Sequence, residues 1–593
     1  MKFKDFSPKQ IVFGLWEVLK RFPLTSVVCL VGTILSIVMI HAEEPSKYLN
    51  YLLTFVLAAP LSVAWILFME GVGWHKKNKW FWVSNCILIG FLVAYYFTLP
   101  NSYPELSNDI AYLRHFLLVL SSVLAVVFAP FVHQHDHQII KQFWEYVRRL
   151  VFSTLITGLW TGGLIIGLSS ALETIDLLFD LSINRDRFSE LAILIFGLFS
   201  TIFFLNRLAK PNDHSDKEIL YPKEVRLFSQ FVLVPLVSIY FLILYIYTTK
   251  ILLTGEWPQG RLAYIILGFS LVGIVTYFAL YPLRKEVAWI KHSGTVLWVA
   301  MVPQGFMLLW SLWFRISEYG FTENRYFVLV YGLWLLGVSL YFLISKTKDL
   351  RLIPASLFVL VILTSIGPWG ASSVAIQSQL QRFKNIMTQN QRFSNGQCLF
   401  SETSVSDKDF TEIREVLNFL QKRDSLKLVQ NCLDIELDLV SLEKYERVGY
   451  LMTNGLKLTS SLKTSSQKNI SIIRPNYDEK LSAVIDGFQY YLEFDSQKEK
   501  IFEVEDKIIS LKLNWQQPAI EIYVNNSWLG DVSLSEIIDK KNAGELNADV
   551  YPTVVAESDK FKVQAIVTYL YGHLATEAID YTNCRALIFL TIK

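Results

Sequence analysis

The sequence predicts an α-helical polytopic membrane bundle of about eleven transmembrane helices, followed by a C-terminal extracytoplasmic α+β domain that is mostly antiparallel β. Two observations predict this architecture. Eleven long runs lack Asp, Glu, Lys and Arg, and the charged fraction rises from about 14% over residues 1–369 to about 25% over 370–593. A chain of 593 residues with 52% hydrophobic residues, 18% charged residues and mean hydropathy +0.35 is not a purely soluble enzyme, a disordered protein or a disulfide scaffold.

The apolar runs are long enough to cross a bilayer. A spanning helix needs about 20 apolar residues, and a charged side chain at its centre costs roughly 2.5–3.5 kcal/mol. Because backbone polar groups in lipid must be paired internally, we interpret the runs as helices. We expect the last one to end near Gly367, since Pro368 disfavours helical geometry in the residue before it. The runs are 22–42, 48–69, 80–104, 115–135, 150–172, 191–206, 227–249, 262–283, 292–314, 326–345 and 352–381.

Lys and Arg are distributed unevenly between the two sets of flanks. Alternate flanks hold 22 Lys and Arg on one side and 8 on the other. Since cytoplasmic loops carry the excess of positive charge, this predicts a cytoplasmic N-terminus. Eleven spans then place residues 370–593 outside the cytoplasm. The formal net charge of +2 divides into +7 over residues 1–369 and −5 over 370–593.

Four parts follow from these patterns. Residues 1–21 form a cytoplasmic leader, either an interfacial amphipathic helix over 8–21 or a simple basic segment. The transmembrane domain covers 22–369, a helical neck and connecting region covers 370–468, and a β-rich domain covers 469–593. In the neck, Cys398 and Cys432 could form a disulfide in an oxidising compartment, whereas Cys584 shares strand parity with apolar residues and belongs to the core.

Three further groups of residues each allow a functional and a structural interpretation. The fifth span carries small residues four apart, which indicate close helix packing, either ordinary or within a mobile helix. At its outer end, acidic residues on one face could bind a cation or a basic partner, or simply form a solvated helix end. A histidine run after the fourth span could bind a metal, or be an interfacial polar segment without a complete ligand set. These residues are Gly158, Gly162, Gly163 and Gly167; Glu173, Asp176 and Asp180; and His133, His135 and His137.

The most distinctive segment joins the ninth and tenth spans. It places two arginines and two glutamates within 11 residues, between aromatic helix ends. One interpretation is an outward-facing site for an anionic lipid or glycan. The other is a helix cap, with Thr322 as the capping residue, and an aromatic belt at the membrane interface. The candidate ligand-binding residues are Arg315, Glu318, Tyr319, Thr322, Glu323 and Arg325.

This segment resembles the signature of a bacterial membrane-protein family named domain of unknown function 4153. The later stretches, Arg351 to Pro354 and Gly367 to Trp369, are similar to the next block of that family, as are Ser373-Val374 and Ser378-Gln379. The resemblance is strongest over 282–382, extends over the spans and is not carried over to the tail. It implies a multi-spanning bacterial envelope protein and supplies neither an activity nor catalytic residues.

Two function classes remain open, and a third is weaker. Common phosphate-loop, nucleophile-elbow, zinc-helix and Cys-x-x-Cys motifs are missing from the sequence, and the spans hold few ionisable residues. We therefore expect a non-enzymatic sensing, scaffolding or assembly protein without a cofactor, whose tail binds another envelope protein or a glycan and not nucleic acid. A transporter or flippase is the alternative. The third class is a membrane enzyme that acts on a lipid-linked substrate through Arg315, Glu318, Glu323 and Arg325.

Overall fold

The structure is a computed structural model that describes most of the chain. It forms two compact units, the first from residues 1–399 and 413–451 and the second from 400–412 and 452–593. We describe each unit by itself. The described residues are 8–74, 79–100, 109–133, 138–208, 222–255, 261–399, 405–430, 432–433, 444–458, 468–472, 490–495, 501–504, 507–514, 519–525, 527–537, 553–574 and 579–592.

The first unit is a helical bundle, as the apolar runs predict. Within the described residues, ten helices are long and apolar enough to cross a membrane. The helices of the bundle are α1 (Pro8–Arg21), α2 (Pro23–His41), α3 (Leu49–Val72), α4 (Lys79–Tyr96), α5 (Asp109–Phe128), α6 (Ile139–Phe179), α7 (Arg185–Leu194), α8 (Thr201–Arg207), α9 (Lys223–Phe228), α10 (Val234–Thr254), α11 (Arg261–Leu280), α12 (Ala288–Tyr319), α13 (Glu323–Ile344) and α14 (Leu352–Ser365). The ten span-length helices exclude α1 and α14, and two of them combine α7 with α8 and α9 with α10. The π-helical segments Ile195–Ser200 and Ser229–Leu233 join α7 to α8 and α9 to α10.

The predicted eleventh span is divided in the structure. The helix α14 has 14 residues, and a new helix, α15 (Ala371–Gln389), begins after a break. Gly367 adopts φ +82, and Pro368 follows it, which is the predicted reason for the break. The 352–381 run is therefore not one long helix. Its first part, α14, is shorter than each of the ten span-length helices.

Two tyrosines of α13 show how far α14 reaches along its neighbour. The Tyr341 hydroxyl accepts a hydrogen bond from the Asp349 amide (2.9 Å), just before α14 begins. About four turns earlier on α13, the Tyr326 hydroxyl donates to the Trp369 carbonyl (2.6 Å), just after α14 ends. Residues 349–369 consequently run antiparallel to α13 over most of its length.

An aromatic cluster joins three helices near the C-terminal end of α13. Trp298 of α12 stacks on Phe342 of α13 with ring centroids 4.7 Å apart, and Tyr277 of α11 lies edge-on 5.0 Å from Trp298 and 5.2 Å from Phe342. Trp298 and Phe342 are 1% and 0% exposed, so both keep their packing independently of the surrounding lipid. This cluster packs α11, α12 and α13 against one another at the end of the bundle opposite the turn described below.

One end of the bundle, called the charged end, is closed by ion pairs. Arg21 donates to both oxygens of Glu70 (2.8 Å each) and to the Leu208 carbonyl, which ties α1, α3 and α8 together. Arg351 pairs with Asp349 (2.8 Å) and donates to the Phe131 carbonyl (2.8 Å). These arginines belong to the Lys- and Arg-rich flanks that the sequence assigns to the cytoplasm. At this end α1 forms a helix whose Val12, Phe13 and Trp16 are exposed.

The remainder of the first unit is the neck. It contains α15, the short strands β1 (Phe393–Ser394) and β2 (Gln397–Cys398), α17 (Lys427–Gln430), α18 (Lys444–Tyr450) and residues 413–421 of α16 (Asp407–Gln421). The neck thus lies in the same compact unit as the bundle, and the boundary between units falls later in the chain than the change in composition at residue 369.

The second unit consists of antiparallel sheets, which confirms the predicted mostly antiparallel β domain. One sheet has the order β3-β10-β11-β4 with β9 paired to β10, and the other has the order β5-β6-β7-β8. Apolar side chains from both sheets share one core that includes Cys584, the predicted core cysteine. The strands are β3 (Lys468–Ile472), β4 (Tyr490–Asp495), β5 (Ile501–Val504), β6 (Lys507–Asn514), β7 (Ala519–Val524), β8 (Ser527–Ser533), β9 (Thr553–Glu557), β10 (Phe561–Leu574) and β11 (Ile579–Ile592).

Candidate functional site

The turn between α12 and α13 has a backbone that only glycine adopts readily. Gly320 follows the last residue of α12 with φ +68 and ψ −176, a region that is essentially restricted to glycine. Thr322 occupies the N-cap position of α13, as predicted, but its side chain makes no capping hydrogen bond. The expected side-chain cap is therefore wrong, because the turn is held by other residues.

The neck helix α15 holds this turn through two consecutive side chains. The Ser378 hydroxyl accepts a hydrogen bond from the Phe321 amide (2.8 Å), and the Gln379 amide nitrogen donates to the carbonyls of Tyr319 and Phe321 (2.9 Å each). Gln379 is only 3% exposed. Because buried backbone groups must find partners, these bonds fix the turn to the neck.

A buried ion pair adds a second connection between the turn and the neck. Arg423, which follows α16, donates to both carboxylate oxygens of Glu323 at 2.5 and 2.7 Å, and the side chains are 14% and 12% exposed. Arg423 also lies over the Phe419 ring at 3.5 Å. We did not predict this partner, since 100 residues separate the two and no local spacing relates them.

Three arginines lie around Tyr319, and we name them, with the tyrosine, the arginine site. The guanidinium carbons of Arg325 and Arg382 each lie 5.5 Å from the Tyr319 ring centroid. Arg325 also donates to the carbonyls of Tyr319 (3.2 Å) and Gly320 (2.7 Å). Arg315, one turn before Tyr319 on α12, is near enough for its charge to act on Arg325. Arg382 was not among the predicted residues, and Glu318 is exposed at the edge of this group.

The predicted cysteine pair is bonded in the structure. Cys398 and Cys432 are joined with a Cα–Cα distance of 5.2 Å, and the Cys398 amide donates to the Cys432 carbonyl (2.7 Å). Both cysteines are buried. The disulfide closes the part of the neck that contains Arg423, and it lies in the same unit as the turn.

Several residues that carried the family resemblance lie where the turn between α12 and α13 meets α15. We call this place the junction. Ser378 and Gln379 hold the turn at Gly320, while Tyr326 of α13 donates to the Trp369 carbonyl. The Ser373 hydroxyl donates to the Gly367 carbonyl (3.1 Å), which closes the break before α15. Segments that are distant in the sequence are thus neighbours around one turn.

The glycines of α6 do not pack against another helix in the described part of the chain. A Cβ built at Gly158, Gly162, Gly163 or Gly167 would have no heavy atom within 4 Å. Leu159, in the middle of this stretch, is 77% exposed. The predicted helix packing at these glycines is therefore not observed, since this side of α6 faces away from the bundle.

The acidic and histidine groups have structural partners where they are described. Asp176 accepts a hydrogen bond from the Ile183 amide (2.8 Å), and Asp180 ends α6 in a left-handed conformation. The His133 ring lies 5.6 Å from the Phe68 ring, whereas His135 and His137 lie outside the described residues. Among described residues, no group of three or more His, Cys, Asp or Glu could hold a metal ion.

Comparisons with known proteins match the part of the chain that contains this junction. The family model described as domain of unknown function (DUF4153) matches residues 27–392, which include the spans, the turn and α15. An uncharacterised protein of Pasteurella multocida (strain Pm70), PM1469, is 26% identical over 385 residues, which cover 63% of this chain and 60% of that protein. The chain therefore matches less than two thirds of this relative's length. No solved structure matches.

Proposed function

The chain belongs to the DUF4153 family of unknown function, and from that premise we propose that it is a non-enzymatic envelope protein of the bacterial cytoplasmic membrane. In this proposal the bundle anchors the neck, and the second unit binds another envelope protein or a glycan outside the cytoplasm. One observation carries the non-enzymatic part. The polar side chains at the junction are engaged in holding the turn, as the Glu323–Arg423 pair and the Gln379 hydrogen bonds show.

Chemical indicators at both ends of the bundle support the proposed orientation. The charged end carries Arg21 and Arg351, and burial together with the charges of Arg284 and Lys291 lowers the pKa of Lys348 there. This concentration of positive charge is typical of a cytoplasmic end. The neck contains the Cys398–Cys432 disulfide, and disulfides persist mainly in oxidising compartments.

The number of crossings supports the same orientation. Ten described helices are span-length, and residues 349–369, which contain α14, extend from the Tyr341 level of α13 to the Tyr326 level. We count α14 as the eleventh crossing on this basis. An odd number of crossings puts the neck opposite the cytoplasmic N-terminus.

The four-stranded sheet of the second unit offers a surface for the proposed partner. Trp528 of β8 is 62% exposed and pairs in register with Tyr523 of β7. Tyr523 donates to Glu521 (2.8 Å), which also accepts from Asn514 (2.8 Å). An exposed aromatic pair beside fixed hydrogen-bonding groups is a surface that suits either a protein or a glycan partner.

A transporter or flippase is the second candidate. Two π-helical segments interrupt the helices α7–α8 and α9–α10, and such segments occur frequently at functional sites. Gln304 of α12, beside Pro303, contacts the Thr248 hydroxyl at 3.5 Å and is buried. A transport assay on reconstituted vesicles tests this candidate.

A substitution of Glu318 distinguishes the non-enzymatic proposal from the alternative of a membrane enzyme that acts on a lipid-linked substrate. It is the remaining carboxylate of the candidate enzyme site, since Glu323 is paired with Arg423. We expect the Glu318→Gln variant to restore the wild-type phenotype fully in a deletion strain, because an exposed side chain without a catalytic role tolerates this change. Loss of complementation at wild-type protein abundance would contradict the proposal and favour an acid or base at this site.

A further inference from the structure

We propose that the arginine site binds a phosphate group, carried by a lipid headgroup or free in solution. This inference goes beyond the proposed envelope role and stands without it. The site gathers cations from three elements: Arg315 from α12, Arg325 from α13 and Arg382 from α15. The balance of these charges and their position in the fold determine what the site can bind.

The carboxylate nearest to Arg325 in the sequence, Glu323, is paired elsewhere. Glu323 is two residues from Arg325, yet both of its oxygens accept hydrogen bonds from Arg423. Arg325 donates instead to the uncharged carbonyls of Tyr319 and Gly320. None of the ion pairs between described residues includes Arg315 or Arg325.

The turn also fixes the positions of these charges before any ligand binds. The Gln379 bonds hold the Tyr319 carbonyl, which accepts from Arg325, and Arg382 lies three residues further along α15. Like charges held together repel one another, and an anion between them removes that repulsion. Guanidinium groups match the oxygen geometry of phosphate through paired hydrogen bonds, so three of them favour phosphate.

The aromatic residues that precede the site indicate its depth. Trp310, Trp313 and Phe314, in the last turns of α12, are 57%, 66% and 45% exposed. Exposed aromatic residues at the end of a spanning helix mark the membrane–water interface, where lipid phosphates lie. Tyr319 is itself 40% exposed, which leaves its ring accessible beside the arginines.

The test measures thermal stabilisation of the purified full-length protein by two probes. The first probe is inorganic phosphate in detergent, compared with chloride at equal ionic strength. The second is a nanodisc that contains phosphatidylglycerol, whose phosphate charge is uncompensated, compared with one of phosphatidylcholine alone, whose choline group neutralises its phosphate. We expect at least one probe to stabilise the wild-type protein. A response to inorganic phosphate identifies a site for free phosphate, and a response to phosphatidylglycerol alone identifies a lipid headgroup site; both support the proposal.

Three variants make the result specific to the site. We expect Arg315→Gln to need at least about tenfold more of the same probe, because one charge-assisted interaction with phosphate is lost. Arg315→Lys keeps the charge without the paired donors, so its loss should be smaller. Arg185→Gln, an exposed arginine at the start of α7, should behave as the wild type. No response of the wild type to either probe, or equal responses of Arg315→Gln and the wild type, would overturn the proposal.

Discussion

Replacing Arg423 by methionine should destabilise the protein by roughly 3–5 kcal/mol, because it leaves the buried Glu323 carboxylate without its counter-charge. Both side chains are largely buried, at 14% and 12% exposure, so water cannot replace the lost partner at low cost. Methionine retains most of the apolar stem and removes the guanidinium group that lies over Phe419. Thermal unfolding of the purified protein in detergent, followed by intrinsic fluorescence, measures the loss.

Two controls separate the ion pair from a general effect of substitution. Arg414→Met changes an exposed arginine of α16, the helix that precedes Arg423, and should alter stability by no more than about 0.5 kcal/mol. The double variant Glu323→Gln with Arg423→Met removes both charges and should recover much of the lost stability. If Arg423→Met and Arg414→Met unfold alike, then the neck does not depend on this pair.

Gly320→Ala should destabilise the protein by about 2–4 kcal/mol, through backbone strain and lost hydrogen bonds at the turn. A Cβ at this position would lie 2.9 Å from the Ser378 hydroxyl and 3.1 Å from the Gln379 amide nitrogen. Those two side chains hold the turn to α15, so they cannot move away without breaking their own bonds. The same unfolding measurement applies, together with the phosphate response of the arginine site, which should weaken as the turn shifts.

Gly162→Ala is the matched control for this prediction. It makes the same chemical change in α6, where nothing lies within 4 Å of the new methyl group. We expect no loss, and a gain of up to about 1 kcal/mol from the better helix propensity of alanine. A clear loss at Gly162 would instead reveal a helix packed on this face, and equal losses at both glycines would contradict the special role of Gly320.

Local patterns in the sequence account for the elements of the fold. Charge-free runs predicted the spans because the cost of a charge in lipid depends on each residue alone. The β-rich domain predicted over 469–593 contains the antiparallel pairs β6–β7 and β10–β11. The break at Gly367 followed from Pro368, which restricts only its neighbour.

The contacts between distant segments could not be derived in this way. The sequence predicted Glu323 and Arg325, two residues apart, as members of one candidate ligand-binding site. The structure pairs Glu323 with Arg423 and turns Arg325 towards carbonyl oxygens, because α16 and α15 both reach the same turn. Spacing along the chain carries no information on which helix arrives there. The resemblance to the family did indicate the importance of Tyr319-Gly320 and Ser378-Gln379, although not that they touch.

The exposed glycines of α6 illustrate a different limit. Small residues four apart permit close approach of a second helix without requiring one. The sequence therefore showed a capacity for packing that the described part of the chain does not use.

Labelling of an exposed neck residue in intact cells tests the proposed orientation of the neck. Arg414 is an exposed residue of α16, and Lys346 is an exposed residue at the charged end. A cysteine introduced by Arg414→Cys should react with a membrane-impermeant maleimide while the cytoplasmic membrane is closed, as mapped by mass spectrometry. A cysteine introduced by Lys346→Cys should react only after that membrane is opened. Modification of the Arg414→Cys variant that requires an open cytoplasmic membrane would contradict this orientation.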